Sequence, residues 1–156
     1  MTEVIIYSDG SCLGNPGAGG WAYKIVCKSI RGKAVELSER YIKRCSGGEA
    51  LTTNNRMELT AAIEALKALK IQSHVELYTD SQYVASGINE WMEGWIKRKW
   101  KNVKNTDLWF ELLALTKTHK VKAHWVRGHA GHPDNEECDK MAFTEAQKAK
   151  QNKELA

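Results

Sequence analysis

Four acidic residues stand where carboxylates could do metal chemistry: Asp9, Glu58, Asp80 and Asp139. Asp9 and Asp80 each follow an apolar, strand-like segment. Glu58 lies one turn inside a helical pattern, and Asp139 adjoins Cys138 and Met141 on a side that reads as inward. Simpler roles stay open for three of them. Asp9-Gly10 suits a turn, Asn55 with Glu58 suits a capping box, and Asp80 or Ser81 suits an N-cap. Asp139 has no such role, because Asp134 and Glu137 already offer its helix a capping box. A carboxylate on an inward face needs a partner.

Two bare carboxylates about 4 Å apart repel by about 4 kcal/mol at an effective dielectric of 20. If the four acids meet, a hard divalent cation is the simple remedy, so Mg²⁺ or Mn²⁺ suits the set and zinc does not. Two such ions roughly 3.5–4 Å apart can activate water and stabilise a leaving oxygen in phosphoryl transfer. Spacing alone leaves the convergence open.

The chain that must position these acids has 156 residues, enough for a single domain with one core over 1–156. No apolar run approaches the ~18 residues of a membrane span. The start, Met1-Thr2-Glu3-Val4, lacks a signal pattern, so the expectation is cytoplasmic. Cys12, Cys27, Cys45 and Cys138 form no CxxC pair, which argues against a zinc cluster and for free thiols. The net charge of +4 permits nucleic-acid binding without establishing it. Its distribution says more: Lys97, Arg98, Lys99, Lys101 and Lys104 fall in a stretch without an acid, and acids cluster at 134–139.

Alternation predicts strands over 3–8, 20–27 and 33–41, with a glycine-rich loop at 9–19 and another loop at 42–53. A helix over 56–70 carries Leu59, Ala62, Ile63, Leu66 and Leu69. A strand over 74–79 follows. A helix from Ser81 then turns Val84, Ile88 and Trp91 inward, breaks near Gly94 and resumes toward Trp100. A helix over 107–118, a strand over 121–125 and a helix from about 135 complete the chain, with a tail at about 146–156 expected to fray. The order βββαβααβα predicts an α/β fold: a mixed five-stranded sheet with helices on its faces. Sites in such sheets form at the carboxyl ends of strands, where Asp9 and Asp80 would lie.

Four ordered blocks resemble the type 1 ribonuclease H family, above all its bacterial cellular members. They are Asp9 to Gly17, Thr52 to Leu59, Thr79 to Val84, and Trp125 to Pro133 with Asn135-Glu136 and Cys138-Asp139. The resemblance implies a ribonuclease H-like sheet of five strands. It implies an endonuclease that hydrolyses the RNA strand of an RNA–DNA hybrid with two Mg²⁺ ions, or Mn²⁺ instead, leaving 3′-hydroxyl and 5′-phosphate ends. It makes Asp9, Glu58, Asp80 and Asp139 the metal-binding acids, His129 a loop histidine that assists proton transfer or product release, and Glu136 an acid that tunes metal occupancy. Cys12, Asn15, Asn54 and Gln82 would meet the RNA strand, whose 2′-hydroxyl both donates and accepts. Thr53 and Asn55 would meet the DNA strand. Trp91, Lys97, Arg98, Lys99 and Lys101 match a basic protrusion, with Trp91, Trp95 and Trp100 as braces. The partner expected is the hybrid alone, bound by a monomer without a membrane or an obligate protein partner.

Residues 42–51 stand as an insertion against the familiar bacterial form, and the loop after Trp100 as a shortening. Neither removes a proposed ligand. The rivals are a non-catalytic hybrid-binding module, a relative that cuts DNA and a plain interaction domain. The four intact acids disfavour the first and third. The blocks at 52–59 and 80–84 disfavour the second.

Overall fold

Alternating burial explains the first strand: Val4, Ile6 and Ser8 turn to the larger core, and Ile5 and Tyr7 to the opposite face. The computed structural model describes residues 1–36, 41–128 and 131–155. In it this strand is β1, Thr2–Leu13, which pairs antiparallel with β2, Gly17–Ile30. The stretch 9–19, expected as a loop, is therefore mostly paired strand. Gly10, Gly17 and Gly19 mark close backbone approach, and Gly14, at φ 84°, makes the turn between the two strands. A Cβ on Gly10 would overlap the backbone of Met57 and Glu58.

After the turn at Arg31-Gly32, only Lys33–Ala34 form β3 on the outer side of β2. The expected strand over 33–41 is thus short, and residues 37–40 lie outside the described residues. The loop expected at 42–53 is instead a strand, β4, Ile42–Thr52, paired along β2 from Val26↔Ile42 to Gly17↔Thr52. Glycine is needed at Gly47 and Gly48 of this strand, because a Cβ on Gly47 would strike the Trp21 ring and one on Gly48 would crowd the last helix.

The chain continues as α1, Asn54–Lys67, and β5, Ser73–Thr79. Helix α2, Gln82–Ser86, runs through a π turn, Gly87–Trp91, into α3, Met92–Lys97. Then come α4, Thr106–Thr118, β6, Lys120–Trp125, and α5, Pro133–Leu155. The sheet order is β3-β2-β1-β5-β6, with β4 sharing the outer side of β2 with β3. The result is a mixed sheet, as expected, but of six strands rather than five because Ile42–Thr52 is a strand and not a loop, with β1, β5 and β6 mutually parallel.

One face carries the main core, built from Ile6, Leu59, Ile63, Leu66, Leu77, Val84 and Leu112 around Trp109. Each fully buried side chain of this kind contributes about 1.5–3 kcal/mol. Trp109 is wholly buried, while Leu108 and Leu115 are only half-buried. Trp91, expected inward, is 40% exposed. A π turn adds residues to a helical turn and so rotates the helix beyond it to a different phase. Helix α3 passes through Gly94 without the expected break. On the opposite sheet face α5 covers a smaller cluster of Ala22, Cys138 and Ala142. It lies so close that a Cβ on Gly20 would overlap the Ala142 carbonyl. Helix α5 stays helical through Leu155, where a frayed tail was expected.

Candidate active site

Strands β1 and β5 run parallel, and Ser8↔Thr79 is their last pair. The next residue of each, Asp9 and Asp80, therefore projects at the same end of the sheet. Asp9 does not follow its strand, as expected, but lies within it, paired with Ala22 of β2. Helix α1 rests on Gly10 and delivers Glu58 from its second turn. Glu58 accepts a short hydrogen bond from the Gly10 N–H. It is not the reciprocal acid of a cap, because Thr53 rather than Asn55 caps α1, its Oγ1 accepting from the Arg56 N–H at 3.3 Å. Ser81 likewise caps α2 and leaves the Asp80 carboxylate free for other work.

Carboxylate oxygens of Asp9, Glu58 and Asp80 lie within 4.8 Å of one another. Asp9 and Glu58 are buried, and Asp80 is the most open of the three. Burial, the Asp80 charge and a hydrogen bond with Asp139 push the Asp9 carboxyl up to about 9. Burial, Asp9 and Asp80 also hold Glu58 well above the usual carboxylate range. Asp139 comes from α5 to the rim, next to Asp9, and shares with Asp80 the wall of a cavity of about 20 Å³. Asp9 Oδ2 and Asp80 Oδ1 are buried without a hydrogen-bond partner. Ionised carboxylates bring acceptors only, and buried acceptors without donors are costly. An all-oxygen, acceptor-rich set of this kind fits Mg²⁺ or Mn²⁺.

The first turn of α5 is pinned from below. Lys24 Nζ reaches Asp134 at 2.8 Å and Glu137 at 2.9 Å, and Arg44 also holds Glu137. Asp134 and Glu137 thus serve Lys24 rather than the expected capping box. Burial opposes the charge of Lys24, but the hydrogen bonds of the two acids outweigh it and raise its pKa. Burial likewise opposes the charge of Glu137, whose carboxyl is nevertheless held low by Lys24 and Arg44.

The sequence profile of the RNase H family matches residues 1–147. The chain belongs to the RNase H family. It is 57% identical to Ribonuclease H of Campylobacter concisus over 99% of this chain and 100% of that protein. It is 55% identical to Ribonuclease H of Cupriavidus pinatubonensis over 91% and 94% of the two chains. The solved structure of LC9-RNase H1, a type 1 RNase H with the type 2 active-site motif, shares 34% identity and a TM-score of 0.83, covering 95% of this chain and 74% of that one. LC11-RNase H1 in complex with RNA/DNA hybrid has a TM-score of 0.66 over 94% and 98% of the two chains, and at 22% identity it speaks for the fold alone.

On this RNase H chain the residues expected beside the RNA strand gather next to the acids. Asn15 Oδ1 accepts from the Asn54 N–H at 3.1 Å, and the Cys12 thiol points to the carbonyls of Gly14, Gly17 and Thr52. Gln82 is exposed at the start of α2, two residues after Asp80. Asn55 faces across a groove of about 590 Å³ to Arg98, Lys101 and Asn105. Lys97, Arg98, Lys99 and Lys101 are exposed, and none forms an ion pair among the described residues. Trp95 braces them, packing on Trp91, Trp100 and Trp109 at centroid distances of 6.0, 5.9 and 4.9 Å. His129 lies outside the described residues. Glu136 lines the small cavity beside Asp80 and Asp139.

Sequence reasoning missed a bridge between the acid-bearing helix and this groove. Arg56 grips Asp107 through Nη1 at 3.0 Å and Nη2 at 2.7 Å, and Nη1 also donates to Asn105 Oδ1. Asn105 and Trp109 both donate to the Tyr83 hydroxyl. The left-handed backbone of Asn105, φ 57°, aims that side chain, a conformation that asparagine tolerates. Arg56 and Asp107 are 51 residues apart, so no local pattern links them. Asn135, Arg127 and His132, which lie in the matched blocks without an expected role, line the small cavity.

Proposed function

We propose that the chain hydrolyses the RNA strand of RNA–DNA hybrids at the cluster of Asp9, Glu58, Asp80 and Asp139, leaving 3′-hydroxyl and 5′-phosphate ends. The observation that carries this reading is the meeting of three separate carboxylates within 4.8 Å, two of them with buried oxygens that lack any donor. Two divalent ions held there, Mg²⁺ first, would supply an activated water and a stabilised leaving oxygen. The curated relatives named Ribonuclease H support the choice of substrate.

The chain's own residues divide the rest of the work. Glu58 is held against β1 by the Gly10 N–H, so its carboxylate enters the site at a fixed angle. Cys12, Asn15, Asn54 and Gln82 offer donors and acceptors suited to the RNA sugar edge. Thr53 and Asn55 serve the DNA strand. The lysines and arginine of 97–101 present positive charge to phosphates, and the exposed Trp91 ring lies on the same protrusion. Glu136, on the wall of the small cavity, tunes metal occupancy, and His129 assists proton transfer. No helix among the described residues is long and apolar enough to cross a membrane. The proposal is of a cytoplasmic monomer that needs no protein partner.

End-labelled hybrid, duplex RNA and duplex DNA, each with Mg²⁺, Mn²⁺ or chelator, provide the test. Only the RNA of the hybrid should be cut, and only with metal. Asp80→Asn should abolish turnover with the fold intact. Equal cutting of all three duplexes, or cutting that survives the chelator, overturns the reading.

A further inference from the structure

The small cavity beside Asp80 and Asp139 is also lined by Asn135, a residue to which the proposed chemistry gives no role. Its amide nitrogen donates to the Tyr78 carbonyl at 3.3 Å, which ties the first turn of α5 to β5. That bond fixes the amide orientation and leaves Oδ1 as a second acceptor. Asn135 Oδ1 is buried without a partner, as is Asp80 Oδ1 on the same wall. The cavity, about 20 Å³, has room for one water molecule.

Two buried acceptors facing one water-sized space call for a group with two donors. A water bound to a cation has that character, because its lone pair is taken and both hydrogens point outward. We infer that Asn135 is a positioning residue, whose amide oxygen accepts from a cation-bound water held between Asp80 and Asp139. This rests on the cation reading of the acid cluster. An amide suits the place because it adds an acceptor without adding negative charge to a site already crowded with carboxylates. Outer partners of this kind orient a metal's shell, and their loss typically costs 10–100-fold in metal affinity.

The test uses the full chain without substrate, and Mg²⁺ is titrated against thermal unfolding and by calorimetry. Asn135→Ala should weaken Mg²⁺ binding by about 10-fold. Asn135→Asp keeps an acceptor, loses the donor to Tyr78 and adds a charge. It should therefore lower the unfolding temperature in EDTA yet bind Mg²⁺ more tightly than wild type. A purely structural role makes both variants lose affinity together, in step with their EDTA stability, and that result overturns the inference. Asp80→Asn separates the two readings. If it abolishes Mg²⁺ binding while Asn135→Ala binds as wild type does, only the role of Asn135 falls. If wild type gains nothing from Mg²⁺, the cation reading falls and this inference with it.

Discussion

Replacing Asp9 with asparagine should destroy activity and make the metal-free protein more stable. The magnitude comes from the geometry. At the 4.8 Å limit of the cluster, two ionised carboxylates repel by roughly 3.5 kcal/mol at an effective dielectric of 20. Against both Glu58 and Asp80, an ionised Asp9 would meet roughly twice that. Protonation is the cheaper escape. Asp9 shifts from 3.8 to about 9, so at pH 7 holding its proton costs roughly 4 kcal/mol relative to the unfolded chain. Asparagine needs no proton, and its gain is capped by that figure. Because a protonated carboxyl also donates a hydrogen bond, about 2–4 kcal/mol is expected, or about 6–12 °C for a chain of this length. The sign with pH is fixed as well. A carboxyl raised in the folded state contributes stability below its unfolded value, and that contribution is lost as pH rises through the folded one. Wild type in EDTA should therefore lose stability between about pH 4 and pH 9, the slope should be shallower in Asp9→Asn, and the stabilisation by Mg²⁺ should grow over the same window. Thermal unfolding in EDTA and in Mg²⁺ across that range is the assay. If Asp9→Asn melts lower than wild type in EDTA at pH 7, or if wild type shows no fall with pH, the reasoning fails.

Lys97→Ala with Lys99→Ala should weaken hybrid binding across all sequences and reduce the salt slope by about 2, with Mg²⁺ affinity unchanged; a salt titration of binding that matches wild type would count against the groove. Arg56→Met should loosen the tie between α1 and α4, raising KM for hybrid more than it lowers kcat. Its stability cost should stay within about 1 kcal/mol, since the ion pair with Asp107 is partly exposed, and steady-state kinetics beside denaturant unfolding separates the two effects. Leu59→Ala, in the fully buried stripe of α1, should cost about 2–5 kcal/mol in urea unfolding while leaving the hybrid preference of the surviving fold intact.

Local pattern carried much of the architecture. The alternation of Val4 with Ile5 and the stripe of Leu59, Ile63 and Leu66 are properties of one element meeting one core, and they were legible. The parallel pairing that brings Asp9 beside Asp80 was inferred from element order alone. Misreadings fell where distant backbone decides. Gly10, Gly47 and Gly48 look like turn formers until α1, Trp21 and α5 are seen lying on them. The outward turn of Trp91 depends on a π turn that no spacing rule anticipates. The four acids stood out by type and place, but their joint metal role came through the resemblance, since turn and cap roles stayed open for Asp9, Glu58 and Asp80. Arg56–Asp107 and Asn135 depend on side-chain direction, which becomes visible only when the helices are packed.

The contact between Gly20 and α5 has a further consequence. Ala142, the residue seated over Gly20, is three positions beyond Asp139, a distance of about 4.5 Å along a helix. A single turn of helix does not bend over so short a length. Any bulk added at Gly20 would therefore lever the fourth acid bodily out of register, and a misplacement of about 1 Å can cost about 100-fold in rate. A gauge of the alignment of Asp139 thus sits, at a residue with no side chain, on a strand that carries Lys24 but none of the four acids.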